Sequence, residues 1–298
     1  MKKILIFFLF FFISCNKSTQ VSETPRIKVK DDLGEEISFD TLPKKIISLA
    51  PNITESIYFI DADSLLVGVT DFCDYPPQVS SKTKLGGYTN PNYEMITALK
   101  PDLILLTVEE TSRPLYKALS DLGFKLMVHN PRTFDDIIRM IDAHGQATGK
   151  DESTKHLTDS LINLKSQIIN DNNKNPLQDK NVFIVVGVNP LMTANKNTFL
   201  NEITGLAGLK NIYEEGIVQY PQINYEDVIS KNPDYIILPG DTSNVSANEK
   251  YITELKSKLG ITNAIKNDRI IIIDENLFFR PGPRILDAVQ YIKYKLKQ

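Results

Sequence analysis

The sequence predicts an α/β protein of two lobes with mainly parallel sheets, joined by one long helix. Short apolar strands alternate with helices along most of the chain, the pattern of βα units on a parallel sheet. One segment is written twice: NYEMITALKPDLILL from Asn92 and NYEDVISKNPDYIIL from Asn224 share seven of fifteen positions. Between the copies, Leu157, Leu161, Leu164 and Ile168 recur at helical spacing, with Ile162 and Ile169 beside them. Two similar lobes with a helix between them account for all three observations.

The N-terminus stands apart from the fold. MKKILIFFLFFFISC carries two lysines and then an unbroken apolar run from Ile4 to Ile13. That run is too short to cross a bilayer as a helix, which takes about 20 residues, and has the length of a secretory signal. A small residue followed by Cys15 resembles a bacterial lipoprotein signal, although Phe12 stands where an aliphatic residue is usual. Residues 1–14 are read as the signal peptide, with lipid on Cys15, and 15–25 as the tether. The alternative is an ordinary signal in which Cys15 is incidental. Removal of Lys2 and Lys3 leaves 32 Lys plus Arg against 37 Asp plus Glu, a net charge of −5. With no basic surplus or cluster, nucleic acid is not expected as a partner. Cys73 is the only other cysteine, so a lipidated Cys15 leaves no intramolecular disulfide.

The first lobe spans 26–150. RIKVKDDLGEEISF reads as a hairpin turning at Gly34; KIISLA is a buried strand leading into a helix with Thr54-Glu55 in its first turn. LLVGVT, DLILLT and FKLMVHN are further strands, and the copy at Asn92 and RPLYKALSDLG are helices. Residues 151–174 form the connecting helix, about 30–35 Å long at 1.5 Å per residue, ending in the breaker-rich DNNKNP. The second lobe, 175–298, repeats the alternation with NVFIVVGV, the helix around FLNEITGLAGL, the copy at Asn224 and RIIIID. A last helix starts after Pro283, with Ile285, Leu286, Val289, Ile292 and Leu296 on one face.

No catalytic motif is present: no Gly-x-Ser-x-Gly elbow, no His-Glu-x-x-His, no phosphate loop and no Gly-x-Gly-x-x-Gly after a strand. GLAGLK reads as close packing within a helix. The three histidines do not cluster in sequence; a ligand role is open for His129, at a strand end, and structural or solvated roles suit His144 and His156. No metal site is expected. A cell-envelope metal-dependent hydrolase or chelatase remains the reading from a different class.

PKKIISLAPNITESIYFI, VGVTDFCDYPP, GGYTNPNYEMITALKPDLILL, GVNPLMTANKNTFLNEITGLAGLKNIY, QYPQINYEDVISKNPDYIIL and FFRPGPRI resemble, in order, landmarks of the helical-backbone substrate-binding proteins of ABC importers, nearest the vitamin B12-receptor branch. The resemblance implies two Rossmann-like lobes, a rigid connecting helix and a ligand cleft between the lobes. It implies a monomeric, non-enzymatic receptor with no catalytic cofactor. Such a receptor would capture cobalamin or another corrinoid and deliver it to a permease dimer with its ATPase subunits, from a lipid anchor on the outer or periplasmic face. A ferric-siderophore or haem receptor is the alternative within the family. Ligand-contacting positions carry over to Phe72, Tyr88, Thr107, Met192, Tyr220, Asn276 and Arg280. Tyr88, Thr107 and Tyr220 stand where the branch has tryptophans, Met192 where it has a phenylalanine, and Asn276 where it has an aspartate. Phe72 and Met192 also fit as core residues, and Arg280 as an ion-pair partner. Glu94 and Glu226 match the carboxylates that dock on permease arginines; each also suits a helix first turn after an Asn cap.

Overall fold

A computed structural model describes residues 27–107, 112–174 and 180–298. The signal, the tether and Cys15 lie outside them. The first lobe opens with an antiparallel hairpin, β1 (Ile27–Lys30) and β2 (Glu36–Phe39), whose turn places Gly34 at φ +85°. It continues through β3 (Ile46–Ser48), α1 (Pro51–Phe59), β4 (Leu66–Val69), β5 (Thr83–Lys84), α2 (Tyr93–Leu99), β6 (Leu103–Thr107), α3 (Arg113–Asp121), β7 (Leu126–His129) and α4 (Phe134–Thr148). Its five-stranded sheet is parallel, in the order β5-β4-β3-β6-β7.

A single helix, α5 (Asp151–Lys174), leads to the second lobe. There follow β8 (Asn181–Ile184), β9 (Gly187–Val188), β10 (Leu191–Met192), α6 (Phe199–Leu206), β11 (Lys210–Asn211), α7 (Tyr225–Lys231), β12 (Tyr235–Gly240), α8 (Val245–Leu259), α9 (Asn263–Lys266), β13 (Ile270–Asp274), α10 (Glu275–Phe278) and α11 (Ile285–Lys295). The four-stranded sheet β11-β8-β12-β13 is parallel, and β9 and β10 form a short antiparallel pair.

Alternate residues of the central strands face different cores. Ile46, Leu103 and Leu105 join Val182, Ile184, Ile237 and Ile273 in one apolar cluster shared by both lobes, with α1, α4, α5, α6 and α11 packed into it. Ile47, Ile104 and Leu106 face an outer layer of the first lobe, and Phe183, Ile236 and Leu238 an outer layer of the second. Burial on both faces is why these strands read as continuous apolar runs.

Several expectations change. The buried stripe of α5 is Thr154, Thr158, Leu161 and Ile168, whereas Ile162 and Ile169 are exposed. Thr158 fits because its hydroxyl is absorbed locally: its Oγ1 donates to the Thr154 carbonyl at 3.1 Å. Thr154 also packs where a Cβ on Gly145 would have to stand, which draws α4 and α5 together. Gly205 has nothing near its Cβ position, and Gly208 lies beyond α6 at φ +90°, so GLAGLK is a helix end and not a packing seam. Helix α8 carries little sequence signal, as its buried residues are few in a charged stretch.

The duplicated segment builds the same unit twice. Asn92 Oδ1 accepts from Met95 N at 3.0 Å and Asn224 Oδ1 from Asp227 N at 2.8 Å, capping α2 and α7. Each helix ends on a left-handed residue, Lys100 or Asn232, before the proline. The aspartate after it ties the loop to the start of the neighbouring strand. Asp102 Oδ2 accepts from Lys44 N and Lys45 N at 2.8 and 2.9 Å, and Asp234 Oδ2 from Asn181 N at 3.1 Å.

Candidate functional site

In each sheet the strand order reverses direction once, between β3 and β6 and between β8 and β12. Open parallel sheets bind ligands outside the carboxyl ends of the strands at such points. A cavity of about 320 Å³ lies between the lobes at those ends. The first lobe supplies Ala50 after β3, Thr107 at the end of β6 and Asn130 to Arg132 after β7. The second supplies Val186 after β8, the loop at Asn197 and Thr198, and Phe279 to Pro281 after α10. Tyr88 and Tyr220 enter the wall from opposite lobes.

Both tyrosines are held by their loops. Gly86, at φ +92°, bridges to Pro91 and donates its N–H to Asp71 Oδ1 at 3.2 Å, which fixes the turn carrying Tyr88. The Tyr88 hydroxyl is bonded to Thr107 Oγ1. Across the cleft, Asn195 N donates to the Gln219 carbonyl at 2.9 Å and Gln219 Nε2 to the Asn197 carbonyl at 2.9 Å. These bonds hold the strand-like approach to Tyr220.

One end of the cleft is closed by an ion cluster that joins the lobes. Glu55, only 1 % exposed, accepts from Arg280 Nη1 at 3.1 Å, Arg284 Nε at 2.8 Å and Arg284 Nη2 at 2.6 Å. Arg280 also donates to Asp74 Oδ1 at 2.6 Å, the Phe72 carbonyl at 3.2 Å and Asn276 Oδ1 at 2.7 Å. Arg284 stacks on the Tyr75 ring, 3.9 Å from its centroid. Burial pushes the Asp74 carboxyl up, but the hydrogen bond and charge of Arg280 outweigh it and hold Asp74 below the usual range. Burial alone would lower Arg280; its bonds to Asp74 and Glu55 raise it instead. Glu55 is thus not a first-turn carboxylate complementing the helix dipole. It sits further along α1, buried, as the lobe's anion for two arginines.

The sequence-derived positions fall into three groups. Tyr88, Thr107, Tyr220 and Arg280 line the cavity together. Phe72, Met192 and Asn276 lie outside its lining: Phe72 is 60 % exposed, Met192 sits on β10, and Asn276 braces Arg280. Glu94 and Glu226 are exposed in the first turns of α2 and α7 and make no hydrogen bond or ion pair among the described residues. The lining also holds Arg132, Asn130, Asn197 and Gln219, which the sequence does not single out. For Asn130 and Arg132 the signal is positional, a polar residue just past the end of β7; Asn197 and Gln219 lie in loops with no such mark.

His129 and His144 do meet, although they are 15 positions apart: their rings pack edge to face at 4.6 Å, both buried. Ser56 Oγ lies 2.8 Å from His144 Nδ1. Burial lowers His129 to about 4 against the opposing pull of Asp31, and burial and then His129 hold His144 well below the ordinary value. Both are neutral core residues in the first lobe. Among the described residues no group of three or more His, Cys, Asp or Glu side chains is placed to hold a metal.

The periplasmic binding protein family matches residues 46–277. An uncharacterised ABC transporter substrate-binding lipoprotein of Bacillus subtilis is 29 % identical over 285 residues, covering 92 % of this chain and 87 % of the relative. The periplasmic vitamin B12-binding protein of Vibrio cholerae superposes with a TM-score of 0.71 at 29 % identity, over 86 % of this chain and 97 % of that one. A periplasmic haem-binding protein in complex with two haems reaches 0.75 at 18 % identity, over 85 % and 97 %, a likeness of fold alone. From the cleft at two matched switch points to these relatives along nearly its whole length, the chain belongs to the periplasmic binding protein family, as a substrate-binding protein of ABC importers.

Proposed function

We propose that the protein is the receptor of an ABC importer for cobalamin or a related corrinoid, anchored by lipid on Cys15 and acting without catalysis. The carrying observation is the pairing of Tyr88 and Tyr220 on opposite walls of the interlobe cavity. A corrin is a broad, partly apolar disc, and two aromatic faces can cover it. Asn130, Asn197 and Gln219 in the same wall suit the amide-bearing rim of such a disc. The cavity's 320 Å³ is near the lower end of the usual range for ligand pockets, about 300–1,000 Å³. The disc would therefore be gripped by its face with part of its rim in water. Vitamin B12-binding relatives, among them one from Vibrio cholerae 30 % identical over 264 residues, support this reading over other chelates. Glu94 and Glu226 would dock the two lobes on two equivalent permease halves.

The test is retention of colour. Purified protein is incubated with cyanocobalamin, haemin and a ferric siderophore separately, passed through gel filtration, and its visible spectrum recorded. A stoichiometric corrinoid spectrum is expected, and Tyr220→Ala should weaken binding at least tenfold, since truncating a buried aromatic anchor costs about 2 kcal/mol or more. Retention of haemin or the siderophore in place of cobalamin would overturn the corrinoid assignment.

A further inference from the structure

Among the described residues, two cations line the cavity, Arg132 and Arg280, and no aspartate or glutamate does. Their circumstances differ. Arg280 is spent: four hydrogen bonds and two carboxylates, Glu55 and Asp74, satisfy and neutralise it. Arg132 is exposed, and its guanidinium makes no hydrogen bond or ion pair among the described residues. The nearest acid in sequence with a fixed role is Asp136. That carboxylate takes the main-chain N–H groups of Arg132 and Thr133 at 2.9 Å and pairs its other oxygen with Arg139. Arg132 therefore brings to one side of the cleft a positive charge that no described residue pairs with, on a backbone held in place by the capping box of α4.

A guanidinium offers five N–H donors in a fork matched to carboxylate and phosphate. Donors left open in a wall that, the satisfied Arg280 apart, is otherwise aliphatic, aromatic, amide and hydroxyl among the described residues select for a ligand with an acceptor there, and most strongly for an anionic one. From this we infer that Arg132 is a specificity-determining residue. It recognises a phosphate or carboxylate carried on the edge of the bound chelate, while Tyr88 and Tyr220 cover its face. The inference rests on the interlobe cavity being the ligand site, and it separates ligands by their edge substituent rather than their ring. Arg280, by the same reasoning, contributes structure and not ligand contact.

Two chelates carry such a group, and matched pairs remove it from each. Cyanocobalamin has a phosphodiester in its nucleotide loop and dicyanocobinamide lacks it; haemin has two propionates and its dimethyl ester has none. Affinities of all four are measured by titration calorimetry for wild type, Arg132→Gln and Arg132→Lys, with melting temperatures as the folding control. Whichever chelate bearing the phosphate or carboxylates binds, Arg132→Gln should weaken it at least about tenfold, the loss typical of a charge-assisted hydrogen bond. The same variant should change its neutral counterpart less than twofold, Arg132→Lys should recover part of the loss, and all three proteins should melt alike. Raising salt should erode the wild-type preference and leave the Gln variant unmoved. Equal losses for both members of a pair, or none, would overturn the role of Arg132 while leaving the cleft as the binding site. Wild-type protein that binds no member of either pair would overturn the role and the corrinoid reading together.

Discussion

Replacing Glu55 by Gln keeps the side-chain volume and removes one charge from the centre of the interlobe cluster. Glu55 is 1 % exposed, and the side chains of Arg280 and Arg284 are 11 % and 15 % exposed, so water cannot take over its role. Three hydrogen bonds from two guanidiniums converge on it, and an amide can accept only part of them while turning its own N–H groups toward a cation. Breaking a buried pair by removing one partner costs about 3–5 kcal/mol. Asp74 still neutralises Arg280, which puts the expected cost at the lower end, about 3 kcal/mol. For a chain of this size that lowers the melting temperature by roughly 6–12 °C. Circular dichroism melts of wild type, Glu55→Gln, Arg284→Gln and the double variant form a cycle. The double variant should be no less stable than Glu55→Gln alone, because the orphaned cation is gone. Asp74→Asn is the contrast: the carboxylate is 55 % exposed and should cost under about 1 kcal/mol. A Glu55→Gln protein melting within 2 °C of wild type (a figure set by roughly 2–4 °C per kcal/mol) would refute the view that this cluster fastens the lobes.

Acid should act through the histidine pair: with His129 at about 4 when folded and near 6.5 unfolded, the unfolded chain takes up the proton first. Stability is then lost as pH falls from about 6.5 toward 4, by on the order of 3 kcal/mol; urea titrations of wild type and His129→Leu test it, and an equal pH slope in both would refute it. Reversing the charge at both Glu94 and Glu226 should abolish uptake in vesicles reconstituted with the cognate permease while leaving ligand affinity and melting temperature near wild type; wild-type uptake by the double variant would end the docking proposal. Cells fed labelled palmitate should label the wild-type chain and not Cys15→Ala, and equal labelling would dismiss the lipid anchor.

What was legible in the sequence was what depends on near neighbours. Asn-Tyr-Glu and Pro-Asp could be read as cap and breaker because Asn92 and Asn224 act within three residues, and the buried strands announced themselves by apolar runs. The ligand wall was partly legible, since Tyr88 and Tyr220 sit beside Gly and Pro in loops. Illegible were the partnerships across the chain. Glu55 looked like a helix-terminal carboxylate because its arginines lie 225 and 229 positions away. His129 and His144 looked separate because β7 and α4 bring them together only in the fold. Thr158 is hard to read as buried because a hydroxyl counts as polar in a sequence pattern even when its own helix absorbs it.

The interlobe cluster also sets an order of completion. Synthesis delivers Glu55 early and its arginines almost last, on the segment that crosses back from the second lobe. Until that segment arrives, burying α1 means burying an anion without its counter-charge, so the half made first is the half sealed last. A chain cut short before Arg280 should therefore lose more than its final helix: the opening lobe would be left soft and accessible to proteases, although every one of its own strands was present.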